Sequence, residues 1–177
     1  MDTSFDDRVE GVAGEIARLW RGRIAAIRPE LVNPALPLKS RDLLTAVGLP
    51  TENCWHIEFF HDEALRGTYS VGGRDLAAIA DDHGTPIVVD VSEGSVWSVI
   101  PGVPQPLQFV NSDLPAFLYA LGRYDAEYGN LMRLPPAERN ALVSRLKGEF
   151  MGRDPESMSR GGAMWRYAFA QAAQGSP

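Results

Sequence analysis

The chain has 177 residues, 45% of them hydrophobic, and a formal net charge of −6, which suits one domain with a hydrophobic core. Its apolar runs are far shorter than the roughly 20 residues of a membrane-spanning helix, and its acidic start lacks the basic head and apolar stretch of a secretory signal. The single cysteine, Cys54, excludes a disulfide within the chain, so we expect a protein of the reducing cytoplasm that does not bind membranes.

The first third of the chain predicts two helices joined by an extended segment. Apolar residues at helical spacing indicate a helix over about Asp7–Arg23. The segment Arg28–Lys39 contains three prolines, which favour an extended connection. Ser40 is a suitable N-cap for a second, short helix over Arg41–Val47, and Gly48 is expected to end that helix.

The middle of the chain predicts a sheet of short strands. Six segments are rich in β-branched and aromatic residues and are separated by Gly, Pro or Asp: Trp55–Phe60, Gly67–Val71, Asp75–Ile79, Pro86–Val91, Ser95–Ile100 and Pro106–Val110. Ser92–Gly94 has the length of a hairpin loop, and Gly72-Gly73 is expected to form a tight turn. Connections this short favour antiparallel pairing, because a parallel return needs a long crossover.

Helices are predicted to follow the strands. Asn111 and Ser112 are expected to cap the first of them. Two more are expected at about Pro136–Met151 and Pro155–Ala173, with Gly161-Gly162 bending or breaking the second. This grouping indicates the α+β class, with a mostly antiparallel sheet of about five to six strands and N-terminal and C-terminal helices packed against it.

No motif for catalysis or for cofactor or metal binding is complete. His56-Ile57-Glu58 matches half of a zinc deaminase signature, but the Pro-Cys-x-x-Cys half is missing. On a strand, His56 and Glu58 would share a face, and polar residues on a strand are the simpler interpretation. Phosphate-binding glycine loops and a Gly-x-Ser-x-Gly elbow are also absent. We therefore expect a protein that is not an enzyme and has no catalytic, cofactor-binding or metal-binding residues.

Three stretches of the sequence together resemble one family. They are Leu43–Pro50 (LLTAVGLP), Asp82–Trp97 (with DHGTPIVVD and EGSVW) and Phe109–Phe117 (FVNSDLPAF). Their order is similar to the SUKH superfamily, and most similar to its fourth subgroup of bacterial immunity proteins. The resemblance covers about residues 40–127 of a single domain spanning residues 1–177, and it leaves residues 129–177 as a helical C-terminal extension. It implies an α+β fold and the neutralisation of a cognate toxin from interbacterial competition, often a nuclease or a nucleic-acid deaminase.

The distribution of charge fits a basic protein partner. Residues 52–127 carry twelve acidic and three basic side chains, a net charge of −9. A segment this acidic repels phosphate backbones, so nucleic acid is not an expected partner, whereas a basic toxin surface would be attracted. The carboxylates that are candidates for contacting the toxin are Asp62, Glu63, Asp81, Asp82, Asp90 and Glu93. Aromatic anchors could come from Trp55, Tyr69 or Trp97, although the core competes for each of them.

Other classes of function stay open from the sequence. Acidic charge also serves solubility alone. A regulatory or scaffold protein-binding module unrelated to toxins would have the same composition, and a toxin gene next to this one would distinguish the two. An enzyme would need a pocket with convergent polar groups and shifted pKa values. The sequence has no motif that sets the oligomeric state or the identity of the toxin.

Overall fold

Helices flank an antiparallel sheet in the computed structural model, which describes residues 4–160 and 163–175. The α-helices are α1 Ser4–Trp20, α2 Leu38–Ala46, α3 Leu114–Arg133, α4 Pro136–Arg153, α5 Glu156–Ser159 and α6 Ala163–Gln174, and there are short 3₁₀ helices at Pro29–Leu31 and Glu63–Arg66. The strands are β1 Ile24–Ala25, β2 Leu49–Pro50, β3 Ile57–Phe59, β4 Thr68–Val71, β5 Arg74–Asp82, β6 Thr85–Asp90, β7 Val96–Val99 and β8 Leu107–Asn111. This arrangement confirms the predicted α+β class. None of the described helices is both long and apolar enough to cross a lipid bilayer.

The main sheet has the strand order β3-β5-β6-β7-β8, and every pairing in it is antiparallel. Strand β4 also pairs with β5, along the same edge as β3 but further toward the start of β5. The predicted turn at Gly72-Gly73 is confirmed, since both glycines have positive φ (59° and 77°) and Val71 pairs with Arg74 across them. Strands β1 and β2 form a separate two-stranded ribbon.

The main core lies between one face of the sheet and the helices. Residues of β3, β5 and β6 on this face join apolar side chains from α1, α2, α3, α4 and α6 in one buried cluster. Trp20 of α1 is fully packed, and its indole N–H donates to the Leu118 carbonyl oxygen at 3.1 Å. A Cβ at Gly122 of α3 would lie 2.9 Å from Leu19 Cδ2, so a larger residue there would displace the Leu19 side chain where α1 and α3 approach closely.

The opposite face of the sheet carries a second, smaller cluster. Its buried members are Leu76, Ala78, Val88, Trp97 and Phe109. The turn between β4 and β5 closes toward it, and a Cβ at Gly72 would lie 3.2 Å from Leu107 Cδ1 on β8. The Arg74 guanidinium lies 4.7 Å from the ring centroid of Trp97. Trp97 is therefore a core residue and is not an exposed anchor for a partner.

The start of α2 and the end of α1 differ from the predictions. Ser40 is not the N-cap of α2, because the helix begins at Leu38 after Pro37, and Ser40 is buried inside it. Helix α1 ends at Trp20 because Arg21 and the following glycine take positive φ (49° and 80°). Chain reversal at this point allows β1 to form.

The predicted helix end at Gly48 is confirmed, and the structure shows a second reason for a glycine there. Gly48 has a φ of +95°, and its amide donates to the Leu43 carbonyl oxygen at 3.0 Å. A Cβ at this position would lie 1.6 Å from the Ala25 carbonyl oxygen. Any larger residue would therefore separate β1 from the segment that leads into β2.

The cap of α3 and the C-terminal helices also differ from the predictions. Asp113 caps α3, with Oδ1 accepting the Ala116 amide at 2.8 Å, and Asn111 belongs to β8. The helix predicted over Pro155–Ala173 is two helices, α5 and α6, and Gly161-Gly162 lie outside the described residues. The last helices contribute Phe150, Trp165 and Phe169 to the main core, as expected of C-terminal helices packed against the sheet.

Candidate functional site

The acidic side chains of residues 52–127 divide into two groups. Half of them have a cationic nitrogen within 4 Å: Glu63, Asp90, Glu93, Asp113, Asp125 and Glu127. The other half form no ion pair within the part of the chain that the structure describes: Glu52, Glu58, Asp62, Asp75, Asp81 and Asp82. The uncompensated negative charge is therefore concentrated around β3, the loop after it and the end of β5.

Four carboxylates around β3 form a surface that we call the acidic edge: Glu58, Asp62, Glu63 and Asp81. Glu58 is exposed and lies directly opposite Asp81 in the pairing of β3 with β5. Residues opposite each other share a face of the sheet, and like charges there repel. The arrangement is relieved when a cation binds between them, so the acidic edge is suited to a basic partner.

Two of these carboxylates also shape the local backbone. Asp62 caps the second 3₁₀ helix by accepting the Ala64 amide at 3.0 Å, and Asp81 accepts the Gly84 amide at 2.6 Å.

Tyr69 on β4 is 37% exposed. Partial burial and the charge of Asp81 raise its pKa. Of the three proposed aromatic anchors, Tyr69 is thus an accessible ring within the electrostatic field of the edge.

Asp90 and Glu93 hold a hairpin in place. Asp90 is 1% exposed and accepts hydrogen bonds from Arg74 (2.6 Å), from the Ser92 amide and hydroxyl (2.8 and 2.6 Å) and from the Glu93 amide (3.1 Å). Burial alone would raise the pKa of Asp90, but the hydrogen bonds from Ser92 and Arg74 outweigh it and lower the pKa. Glu93 shares the same guanidinium at 3.0 Å. The buried Asp90 is therefore not available as a surface carboxylate, contrary to the expectation from the sequence.

Two hairpin turns lie side by side at the end of β5. In the first, Cys54 and Ile57 exchange both backbone hydrogen bonds (3.1 and 2.9 Å) across Trp55 and His56, whose φ values are 47° and 79°. Tight turns with two positive φ values normally carry Asn-Gly or Gly-Gly. The prediction that His56 and Glu58 share a strand face was therefore wrong, because His56 is in a turn that precedes β3.

The second turn has the same backbone form. His83 and Gly84 connect Asp82 to Thr85 with φ values of 50° and 86°. Because Ile57 pairs with Asp82, the two turns are neighbours, and the rings of His56 and His83 are 5.2 Å apart. Left-handed backbone at non-glycine residues is unfavourable and is typical of functional sites.

A groove of about 490 Å³ opens between these turns, the sheet and α6. It is lined by residues of both turns, of β6, β7 and β8 and of α6: Trp55, His56, Asp82, His83, Thr85, Ile87, Ser98, Ile100, Gln108, Met164, Tyr167 and Gln171. Partial burial raises the pKa of Asp82, while His83 and His56 act in the opposite direction. Asp82 thus faces this groove, on the opposite side of β5 from its neighbour Asp81.

The family of the chain follows from a comparison with family models. The model for the SUKH-4 immunity protein matches residues 9–171. The chain belongs to the SUKH-4 immunity protein family. The matched range includes α4, α5 and α6, which the resemblance identified from the sequence did not cover. No curated protein and no solved structure matches the chain at a significant level.

Membership of the SUKH-4 family favours an immunity role over the scaffold alternative.

Other places in the described part of the chain are weaker candidates for a partner-binding site. A larger groove of about 820 Å³ lies between α1, α2 and the start of α3. Four of its charged side chains already pair with one another, as Lys39–Asp113 (2.6 Å) and Arg153–Glu15 (2.7 Å). Among the described residues, no group of three or more His, Cys, Asp or Glu side chains is placed to hold a metal ion.

Cys54 of this SUKH-4 chain is not positioned as a nucleophile. Its side chain is 1% exposed and belongs to the main core. Burial, followed by the charge of Asp125, raises the pKa of its thiol well above the ordinary value. A thiol in such surroundings stays protonated and unreactive at neutral pH.

Sequence reasoning missed several residues that the SUKH-4 fold brings together. Glu58 was considered only as part of a metal motif, although it completes the acidic edge opposite Asp81. Thr85, Gln108 and Tyr167 were not singled out, and they come from three separate elements that line one groove. Strand register and the docking of α6 on the sheet bring them together, and the sequence specifies neither at the required accuracy.

Proposed function

We propose that this SUKH-4 chain neutralises a cognate protein toxin that acts on nucleic acid, by covering the basic surface of the toxin with the acidic edge. The observation that supports this proposal is the pairing of Glu58 with Asp81, two carboxylates opposite each other without a cation among the described residues. Isolated negative charge of this kind is unfavourable in the free protein and becomes favourable in a complex with a basic partner.

The proposed mode of action is binding without chemistry. A surface that binds nucleic acid must be basic, because it compensates phosphate charge. The carboxylates of Glu58, Asp62 and Glu63 imitate a row of phosphates and occupy that surface. Long-range attraction accelerates the encounter, and the accessible ring of Tyr69 adds contact area that slows dissociation. In this proposal the chain acts in the cytoplasm of the cell that it protects.

We expect the full chain to protect a bacterial host from the toxin domain encoded next to its gene. Both would be expressed together from inducible promoters, and surviving colonies would be counted. Wild-type protein is expected to restore survival by several orders of magnitude relative to an empty vector. As a control, an unrelated toxin of a different activity should kill the host equally with and without the chain. Survival no better than with the empty vector, at a verified level of folded protein, would refute the proposed function.

A further inference from the structure

The groove at the two hairpin turns contains polar groups that form no hydrogen bond with any described residue. They are the Asp82 carboxylate, the imidazoles of His56 and His83, the Thr85 hydroxyl and the Gln108 amide. Polar groups that converge on a concave, largely apolar surface are typical of a ligand site. The groove therefore has hydrogen-bonding capacity that the protein itself does not use.

Aromatic rings flank these polar groups. Trp55 is half-buried, and its ring packs 5.1 Å from Tyr124 and 6.4 Å from Trp165, which fixes it in place. Tyr167 on α6 is 61% exposed, and its hydroxyl accepts a hydrogen bond from Gln171 at 2.6 Å. The lining therefore combines one packed ring and one accessible ring with a carboxylate, and no described residue that lines it is a lysine or arginine.

This combination favours one kind of side chain. A guanidinium group is planar, donates several N–H bonds in one plane and stacks on aromatic rings while it pairs with a carboxylate. A lysine ammonium is compact and strongly hydrated, so it gains less from the rings. Imidazole nitrogens, a hydroxyl and an amide oxygen can accept the remaining N–H groups of an arginine.

We propose that this groove receives an arginine side chain of the toxin, with Asp82 pairing with the guanidinium and Trp55 and Tyr167 bordering it. The identification of the toxin as the source of the arginine rests on the proposed function above. The recognition chemistry rests only on the residues that line the groove. Asp82 and the acidic edge then have different roles, since Asp82 selects one side chain while the edge supplies long-range attraction.

The test uses the full chain and three blocked tripeptides, acetyl-Gly-X-Gly-amide, in which X is arginine, lysine or citrulline. Binding would be followed by NMR through the indole N–H signals of the tryptophans. Trp20 and Trp97 donate to Leu118 and Ser95 within the fold and do not line the groove, so their signals serve as internal controls. The arginine peptide should shift the Trp55 signal in a saturable way, with an affinity at least about fivefold higher than that of the lysine peptide or the neutral citrulline peptide.

Variants separate the groove from the rest of the surface. Asp82→Asn and, independently, Tyr167→Ala on the exposed face of α6 should each lower the affinity for the arginine peptide by about tenfold or leave no detectable binding. Glu138→Gln, an exposed acid of α4 outside both the groove and the acidic edge, should leave binding of the arginine peptide unchanged within about twofold. Unshifted signals of Trp20 and Trp97 would show that each variant is folded.

Two results would overturn the inference. One is a Trp55 signal that does not respond to the arginine peptide. The other is a Trp55 response of equal size to all three peptides, or a response to the arginine peptide that is equal in the wild type and both groove variants. Failure here with continued protection against the toxin would refute only the arginine site. Arginine binding without protection would instead refute the proposed function.

Discussion

Replacing Asp154 with alanine is expected to lower the free energy of unfolding by about 3 kcal/mol, because buried donors lose their shared acceptor. The Asp154 carboxylate is 4% exposed. It accepts the Asn111 side-chain amide at 2.8 Å, the Ser112 backbone amide at 2.8 Å and the Ser112 hydroxyl at 2.6 Å. Each donor that stays buried without a partner is destabilising by about 1–3 kcal/mol, and entering water recovers part of that loss.

The same network links distant parts of the chain. The Asn111 side-chain oxygen accepts the Trp165 indole N–H at 3.0 Å. One chain of hydrogen bonds thus joins the end of β8, the end of α4 and helix α6. Unfolding in urea, followed by tryptophan fluorescence, would measure the loss, since Trp165 is fully buried in the native state.

Glu156→Ala is the matched control for Asp154→Ala. Glu156 lies two residues further on, and its ion pair with Arg160 at 3.0 Å is exposed on both sides. We expect its removal to change the free energy of unfolding by less than about 0.5 kcal/mol. Similar losses for the two variants would show that the network does not hold the C-terminal helices in place.

Reversing charge on the acidic edge is expected to slow association with the toxin. In the double variant Glu58→Lys/Glu63→Lys, the association rate constant at low salt should fall about 10- to 100-fold, because the steering field is reversed at the contact surface. Neither carboxylate accepts a hydrogen bond from a described residue, so the fold should be retained. The rate would be measured by stopped-flow or surface-based kinetics with a catalytically inactive toxin domain.

The control for this prediction has the same net charge at a different place. Glu138 and Glu156 are exposed acids away from the acidic edge, in α4 and α5. Glu138→Lys/Glu156→Lys should retain the wild-type rate within about threefold. The difference between the two double variants should shrink as salt is added, because screening shortens the reach of the field. Equal rates for both double variants at low salt would rule out a role for the edge.

Much of the sheet could be predicted from local sequence. Alternating apolar residues and the turn residues at Gly72-Gly73 and Ser92–Gly94 are short-range signals, and the structure has strands and turns at these places. The motif around Asn111 and Ser112 was also recognised, but its role was not. Its hydrogen-bonding partner, Asp154, is 42 residues from Ser112 in the sequence, so no local rule connects the two.

The candidate site was only partly predictable for the same reason. Composition located the negative charge, but it could not show that Arg74 compensates Asp90 and that nothing described compensates Asp81. The turn at Trp55 and His56 was missed because aromatic residues have high strand propensity and rarely adopt two successive positive φ values. Tertiary pairing therefore decides which carboxylates are accessible and where the groove forms.

Complex formation between the purified chain and the inactive toxin domain tests the central claim most directly. Titration calorimetry with the full chain should show a saturable complex with a dissociation constant in the nanomolar range or below, as is usual for tight inhibitory interfaces. The affinity should weaken as salt is raised, because in the proposed complex the acidic edge faces a basic surface. The absence of detectable binding by folded protein at tens of micromolar concentrations would contradict the claim that this SUKH-4 chain acts by covering its toxin.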